Sequence, residues 1–463
     1  MTEASSDADP SRRDDAPQRT SLRRRGLLTA AVVGAGVAAT ATACQKPATV
    51  QVSVSARSIQ PELSGSADAK ANTDALDNAI TESTKTGADV VLPGGEFGFN
   101  GMTLPTAGGV SVRGAGRGVT VLRNESGDPA VTAHGVPGGT EWMADWELTG
   151  LSITSARRQP DQVALSVTLA HRFSVRDVTV TGYGIGVRHE SGWDCGYDGV
   201  SVTECGTGWR FPTTDFAPSS PVGLRNCSAV ECDVAVLVDN ALETMEWVGG
   251  DFSQCGRGVL LFGNDSRSLS FHGVNFERIR GEDIVVGDAK TGPAAITFSG
   301  CRFLRTAKGP VSVRFVRGDG LTFTSSRWTQ YGTAVEQGPD SGRLVVNASS
   351  GFEVDRFITS AGRTQPEGVF NASKGQFSLA LALDEPSVLP AIVGAEGVAT
   401  KVLSGPGRRS ASDRDFAIPP VVGSTAVLRD TTDGSVRHAI RGVTGWFVSA
   451  PYTPPTPPPS PRR

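Results

Sequence analysis

Several signatures of catalysis and of charged partners are missing from this 463-residue chain. Neither Gly-x-Ser-x-Gly nor the order of a Ser/His/Asp triad occurs, which argues against a serine hydrolase. The net charge is −4 and the body of the chain has no basic run, which argues against a nucleic-acid partner. The histidines are few and scattered, so they predict no metal site. They are His134, His171, His189, His272 and His438.

Glycine, by contrast, is abundant, and the chain repeats itself between about Val178 and Tyr331. The repeats align on positions separated by 22 to 27 residues, and a period of this length made of short strands is typical of a solenoid. No Leu/Asn spacing of a leucine-rich repeat is present, so the sequence predicts a parallel β-helix with one coil per repeat. The aligned anchors are Tyr183, Cys205, Cys232, Cys255, Ile279, Thr306 and Tyr331.

Each repeat also carries two apolar columns with a mostly polar residue between them. This period of two predicts strands with one buried face. The first column is Val178, Val200, Cys227, Gly250, Val274, Cys301 and Ser326. The second is Val180, Val202, Ala229, Phe252, Phe276, Phe303 and Trp328.

The seven cysteines include no Cys-x-x-Cys pair. Apart from Cys44, most of them fall in repeat columns: Cys205, Cys232 and Cys255 share one, and Cys227 and Cys301 share another. Metal ligation or disulfides would be one interpretation. Stacked parallel positions are poor for S–S geometry, so the sequence favours a ladder of small buried residues. A Cys227–Cys232 disulfide within one coil stays open.

A short helix precedes the repeats. Leu76 and Ile80 recur at helical spacing between Asn72 and Lys85, ahead of Gly87. The strands VVLPGGEFGF (90–99), MTLP (102–105) and VSVRGAGRGVTVLRN (110–124) follow. The glycines at 114, 116 and 118 predict corner turns, since no βαβ unit accompanies them as a dinucleotide loop requires.

This order of helix, Leu-Pro-Gly-Gly and Val-Arg-Gly-Ala-Gly resembles the opening of the pectate-lyase-like superfamily, which includes the rhamnogalacturonase/epimerase-like pectate lyase domains. The resemblance implies an all-β, single-stranded, right-handed parallel β-helix whose N-terminal helix caps the open end of the solenoid. It also implies a polysaccharide partner along the outer face, but no particular reaction. A cofactor is not implied, except Ca²⁺ if the protein is a lyase.

The predicted organisation has five parts. Residues 1–44 form an export signal, 45–65 a linker, 66–375 the β-helix, 376–451 a small C-terminal β module, and 452–463 a proline-rich tail. In the module, Asp433-Gly434 between two apolar runs predicts a hairpin. The module is similar to those of phage-tail-like β-helix proteins. The oligomeric state is not predicted, and a trimer stays open.

The first 44 residues resemble a twin-arginine export signal, because Arg23, Arg24 and Arg25 precede a weakly apolar run. The run ends in Ala-Thr-Ala-Cys44, which resembles a lipobox and predicts lipid attachment at Cys44 and a cell-surface location. A simple cleavage site with Cys44 incidental is the alternative. A membrane-spanning helix is less favoured, because the run is short and rich in Gly, Ala and Thr.

Candidate catalytic residues come from the repeat alignment. Asp251 lies at an outward strand position, and Glu277 lies one coil on and two residues further along. Their predicted diagonal is about 8 Å, within the range for a water held between two carboxylates in inverting glycoside hydrolysis. Asp198, at a turn one to two coils away, is the third candidate.

Candidate binding residues lie nearby. Trp193 could stack on a sugar ring and Asp194 adjoins it. Arg278 and Arg280 could neutralise a substrate carboxylate, as a lyase requires. Arg278-Ile279-Arg280 is similar to the R-I-K of polygalacturonases, but His272 precedes it by only six residues and no Asp-Asp pair lies upstream. That activity is therefore not implied.

Two functions of different classes follow. The first is an exported β-helix that binds a polysaccharide. A stronger version of this hypothesis is that the protein also cleaves the polysaccharide, by hydrolysis or by elimination. The second is a non-catalytic surface or appendage protein used for adhesion or assembly. A carboxylate pair in a groove with aromatic walls would favour the first, and a flat outer face with scattered acids the second.

Overall fold

A computed structural model describes residues 58–361, except 107–108, 110, 137–141, 215, 217 and 240–241, together with Thr432 and the backbone of short strands between 367 and 448. The predicted signal, Cys44, residues 45–57 of the predicted linker and the proline-rich tail lie outside the described residues.

The described chain is a parallel β-solenoid of about ten turns with one short helix, which confirms the predicted fold class. Each turn contributes strands to three faces, here named A, B and C in chain order. One register pair from each face illustrates the stacking: Val175–Tyr197 on face A, Val180–Val202 on face B and Val187–Trp209 on face C. Residues about one repeat apart therefore lie on top of one another, as the periodicity predicts.

The helix and strands of the first turns are β1 (Ser58–Ile59), α1 (Ala69–Thr86), β2 (Asp89–Val91), β3 (Gly95–Phe99), β4 (Met102–Leu104), β5 (Ser111–Arg113), β6 (Thr120–Asn124), β7 (Val131–His134), β8 (Met143–Ala144), β9 (Glu147–Ser155), β10 (Val163–Thr168), β11 (Ala170–His171), β12 (Ser174–Thr181) and β13 (Ile185–Glu190). The central turns contain β14 (Cys195–Asp198), β15 (Ser201–Thr203), β16 (Thr207–Phe211), β17 (Val222–Arg225), β18 (Ser228–Val230), β19 (Val234–Val238), β20 (Met245–Val248), β21 (Asp251–Ser253), β22 (Arg257–Leu261), β23 (Arg267–His272), β24 (Asn275–Glu277) and β25 (Ile284–Val286). The remaining strands are β26 (Ala294–Ser299), β27 (Arg302–Thr324), β28 (Arg327–Ser360), β29 (Glu367–Asn371), β30 (Ala391–Val393), β31 (Ala399–Gly405), β32 (Thr425–Asp430), β33 (Val436–Arg441) and β34 (Trp446–Val448).

The capping helix α1 is longer than the sequence predicts. It begins at Ala69 because the Asp68 side chain accepts a hydrogen bond from the Ala71 N–H at 2.7 Å, and it ends at Gly87 in a left-handed conformation. Leu76 and Ile80 are buried against the first turn, as predicted. The helix therefore covers the apolar end of the solenoid.

The interior is built from the predicted columns, and aromatic rings fill much of it. In the second column the ring centroids of neighbouring turns lie 5.3, 4.7 and 4.8 Å apart from Phe252 through Phe276 and Phe303 to Trp328. All four side chains are fully buried. Such stacking stabilises the solenoid beyond the simple burial of apolar area.

One anchor of the alignment is wrong. Thr306 is exposed, and in its turn Arg305 is the buried residue. The register between β27 and β28 shifts between Leu304 and Gly309, which displaces this corner from the regular repeat. A local irregularity of this kind leaves no trace in a pattern of two apolar columns.

Arg305 belongs to a buried polar cluster. Its guanidinium lies 5.0 Å from the centre of the Tyr331 ring and donates to the backbone carbonyl of Gly281. Asp283 is fully buried and accepts a hydrogen bond from Ser312 Oγ at 2.6 Å. Burial raises the pKa of the Asp283 carboxyl to about 6, although Arg305 and the Ser312 hydrogen bond act in the opposite direction.

The corners need backbone conformations that most side chains disfavour. Gly250 has φ +94°, and a Cβ there would lie 1.8 Å from the Cys227 carbonyl oxygen. Only glycine therefore fits at this point of the first column.

The cysteines of the described residues are all buried and free, as the ladder interpretation predicts. Cys227 and Cys232, the pair for which a disulfide stayed open, are both thiols. Beyond the solenoid, β32 pairs antiparallel with β33 and β33 with β34, so the hairpin predicted around Asp433-Gly434 is present.

Candidate functional site

A groove runs along face A across five successive turns. The strands that form it are joined rung to rung through Ser174, Gly196, Gly223, Glu246 and Ser270. Its cavity volume is ≈ 620 Å³. Four rung spacings of about 4.8 Å make it about 19 Å long, parallel to the axis of the solenoid.

Two glycines create the depth of this groove. Gly196 and Gly223 are register partners at outward positions of neighbouring strands. A Cβ built on either would meet no atom within 4 Å, so the space above them is open. The missing side chains leave a trough whose floor is backbone.

Charged side chains line the trough. Asp194, Asp198, Arg225 and Glu246 are all exposed there. Among the described residues none of the four forms an ion pair, although Asp198 and Arg225 are register partners. By contrast, Arg176 at the end of the groove lies 3.6 Å from the carboxylate of Glu147. Asp145 and, to a smaller degree, the charge of Asp194 raise the pKa of the Arg172 guanidinium, so Asp194 has a cationic neighbour, whereas the other three side chains are available to a ligand.

An aromatic platform adjoins the groove. Trp193 directly precedes Asp194 and is 47% exposed. Its ring centroid lies 5.3 Å from that of Trp142, and its Nε1 donates to the Pro218 carbonyl oxygen at 3.1 Å. These contacts hold the ring in one orientation beside the trough. Asp194 and Asp198 both line the groove, and Trp193 adjoins Asp194 outside the lining.

The pair Asp251 and Glu277 lies elsewhere, on the outer surface of face B. Asp251 pairs in register with Asn275, and Glu277 with Ser253, so the two acids have the diagonal relation that the repeat alignment predicts. Asn275 Nδ2 donates to Asp251 Oδ1 at 2.6 Å. Burial raises the pKa of the Asp251 carboxyl above its usual value, and the charge of Glu277 adds to the rise.

Asp198 does not join this pair. It ends strand β14 on face A, so a corner of the solenoid separates it from face B. Arg278 lies at the corner that follows Glu277 and forms an ion pair with it at 3.2 Å. Arg280, at the same corner, is exposed. The seven predicted residues of the described chain therefore form two separate groups.

Sequence reasoning missed Glu246, Arg225 and the two floor glycines. The signal that could have found them is the outward column of face A, where glycine stands at two successive turns between polar residues. The alignment followed the strands of face B and left face A unexamined. Among residues 58–361 that the structure describes, no group of three His, Cys, Asp or Glu side chains is placed to hold a metal ion. No helix among them is long and apolar enough to cross a membrane.

Comparison with known proteins gives structural likeness alone. No family model matches the chain, and no curated protein matches it. Solved structures with similarity include ORF18 of Geobacillus virus E2, at 13% identity, TM-score 0.49 and 85% coverage of both chains.

Two further solved structures belong to proteins of different kinds. The catalytic unit of a GH87 α-1,3-glucanase from Streptomyces thermodiastaticus is 13% identical with a TM-score of 0.45, over 72% of this chain and 64% of that one, less than two thirds of its length. PfbA, a surface adhesin of Streptococcus pneumoniae, is 12% identical with a TM-score of 0.48, over 84% of this chain and 98% of that one. Likeness at this level carries no conclusion about substrate or reaction.

Proposed function

We propose that this protein is a glycan-binding β-solenoid that holds a linear polysaccharide lengthwise in the face A groove. The observation that carries the proposal is the glycine-floored trough, about 19 Å long by its rung spacings, with unpaired charged side chains along it. Carboxylate and guanidinium groups accept from and donate to sugar hydroxyls. Trp193 supplies an apolar surface for the face of a sugar ring.

The location of the groove on face A supports binding rather than cleavage there. Asp198 and Glu246 lie two turns apart in the stack and two residues apart along the strand, so their backbones are separated by about 12 Å. The carboxyl groups of inverting glycosidases lie about 6.5–9.5 Å apart, so Asp198 and Glu246 reach that range only where their side chains lean toward each other. This arrangement fits a protein that binds a polysaccharide at the cell surface, for adhesion or to hold the polymer there, without cleaving it.

Cleavage is a second candidate, and a different observation favours it. The Asp251 carboxyl has a raised pKa, while the carboxylate of Glu277 is paired with Arg278. Two acids whose environments differ in this way suit a general acid and a general base. A polysaccharide would then lie across face B, one corner away from the groove.

We also propose that the chain is an exported member of the pectate-lyase-like superfamily. The capped N-terminal helix followed by the stacked strands of the first turns supports the membership. Export through the twin-arginine pathway and lipid attachment at Cys44 rest on the sequence of residues 1–44. Labelling of the full chain with a lipid precursor, and its loss in Cys44→Ser, tests the attachment.

A steric plug tests the groove. Gly223→Tyr places a ring in open space above the trough floor, so we expect an unchanged unfolding midpoint and a loss of glycan affinity of about tenfold or more. The matched control is Gly320→Tyr, also on face A, where a Cβ meets only the Arg343 carbonyl oxygen at 4.0 Å and which lies outside the groove. Equal glycan affinity of the wild type and the Gly223→Tyr variant would contradict the proposal.

A further inference from the structure

The groove has an excess of negative charge. Three carboxylates line it, those of Asp194, Asp198 and Glu246, against the guanidinium groups of Arg176 and Arg225. Arg176 is already neutralised by Glu147 at 3.6 Å. Arg225 is therefore the one lining cation without an ion pair among the described residues, facing three carboxylates.

Outward carboxylates elsewhere on the described solenoid include unpaired ones, such as Glu204 and Glu231, and paired ones. Elsewhere on the solenoid, outward carboxylates are commonly paired with arginines of their own or neighbouring turns, as Glu282 is with Arg257 and Arg314. In the groove the register partners Asp198 and Arg225 lie on adjacent rungs without forming an ion pair. The groove thus presents carboxylate oxygens as hydrogen-bond acceptors with a net negative field around them.

We propose that the groove binds glycans without acidic groups and excludes acidic polysaccharides such as polyuronates. The inference rests on the proposed glycan-binding function and specifies its substrate class. Sugar hydroxyls donate to the three carboxylates, whereas a uronate polymer brings one negative charge with every residue into the same trough. Like charges a few ångströms apart repel even in water, and the low-dielectric wall of the solenoid strengthens the repulsion.

Affinity measurements with the full chain and three classes of polymer test this inference. The uncharged probes are a panel of linear glucans, xylans and mannans; the acidic probes are polygalacturonate and alginate; the cationic probe is chitosan. We expect an uncharged polymer to bind with little salt dependence. We expect the acidic polymers to bind at least about tenfold more weakly at low salt.

A charge-neutralising variant sharpens the test. Asp198→Asn with Glu246→Gln keeps the shape and one acceptor oxygen in each side chain, replaces the other oxygen with an NH2 donor, and removes two negative charges. We expect this double variant to gain about tenfold in affinity for polygalacturonate at low salt, while the bound glucan, xylan or mannan loses less than that. The matched control is Glu204→Gln with Glu231→Gln, which changes the net charge equally outside the groove. Glutamine suits those corner positions, since Gln254 occupies the equivalent one with the same left-handed φ.

The outcomes separate the inference from the function beneath it. If polygalacturonate binds wild type more tightly than every uncharged polymer and Gly223→Tyr abolishes that binding, the groove binds glycans but the exclusion of acidic polymers is wrong. If the control pair raises polygalacturonate affinity as much as the groove pair, the effect is one of overall charge and the inference fails. If no polymer binds and the plug changes nothing, both the function and the inference are overturned.

Discussion

Asp251 and Glu277 lie on neighbouring rungs of face B, one turn and two residues apart, with their side chains on the same outer surface. The two side chains also interact electrostatically: burial raises the pKa of the Asp251 carboxyl, and the negative charge of Glu277 raises it further. Two neighbouring carboxylates repel each other unless one of them is protonated or a cation lies beside them. Arg278 is such a cation for Glu277.

If this pair cleaves glycans, removing either carboxyl should stop the reaction. We expect Asp251→Asn and Glu277→Gln each to lower the rate by about 10²- to 10⁴-fold while leaving the fold intact, since both side chains lie on the surface. Reducing ends and the unsaturated product of elimination, measured over a polysaccharide panel, report the rate. Asp161→Asn, an exposed acid at a turn, is the control, and undiminished rates in both variants would remove the assignment.

Trp193 should contribute to glycan affinity through its ring face. We expect Trp193→Ala to weaken binding about fivefold, because stacking on an aromatic ring is worth about 1 kcal/mol. Trp193→Phe keeps a ring but loses the hydrogen bond to the Pro218 carbonyl oxygen, so its glycan affinity should lie between those of the wild type and Trp193→Ala. Calorimetric titration measures this series. A Phe352→Ala control removes another exposed ring, and an equal loss there would mean that the effect is not local.

Buried Asp283 should make stability depend on pH. Its pKa of about 6 in the folded protein lies above the ordinary value of 3.8, so the unfolded chain ionises first as pH rises. The stability from the protonated carboxyl is complete below about pH 4 and declines as pH passes through 6, by up to about 3 kcal/mol. Asp283→Asn should be close to wild type at pH 4 and more stable at pH 7.

Urea denaturation at several pH values checks this expectation. Asp319→Asn, an exposed acid, serves as the control and should keep the wild-type slope. Parallel curves for wild type and Asp283→Asn between pH 4 and pH 7 would show that Asp283 does not titrate in this range.

The aromatic column should carry a large part of the stability of the central turns. Phe276 is fully buried between Phe252 and Phe303, with centroids at 5.3 and 4.7 Å. We expect Phe276→Ala to cost about 3–5 kcal/mol and Phe276→Leu markedly less, because the cavity that remains is smaller. Chemical denaturation measures both. A cost below about 1 kcal/mol for the alanine variant would contradict the stacked core.

The buried thiols should be inert until the protein unfolds. All six thiols of the described residues are buried, which keeps a reagent from reaching them. Burial also raises the pKa of the Cys195 and Cys227 thiols to about 12, whereas hydrogen bonds with Cys232 lower the pKa of Cys205 and Cys255. In a Cys44→Ser variant we expect no reaction with a thiol reagent at pH 8 in the native state and six equivalents in urea. Fewer than six equivalents in urea without reductant would reveal a disulfide.

Much of the fold was predictable because residues one repeat apart in the sequence of a solenoid lie on top of one another in the structure. Val180 and Val202 are separated by one repeat and are register partners, so a local pattern determines a contact between distant residues. The diagonal between Asp251 and Glu277 follows from the same rule. The failure at Thr306 marks the limit, since the irregular corner depends on Arg305 finding backbone carbonyls inside the solenoid.

The candidate groove was less predictable. The repeat alignment places Asp198 close to Asp251, but the corner after Asp198 turns the chain onto another face. Glu246 was missed because its importance comes from the two glycines stacked before it, a relation between turns of a face that the alignment did not follow.

The sequence by itself determined the strands of face B, their stacking order, the two apolar columns inside them and the helix that precedes them, because apolar side chains at a fixed period must share one buried face. The tertiary structure alone decided where the outer surface is concave and which charges remain unpaired. Those properties depend on how three faces meet at corners and on the absence of side chains at Gly196 and Gly223, and no single strand encodes them.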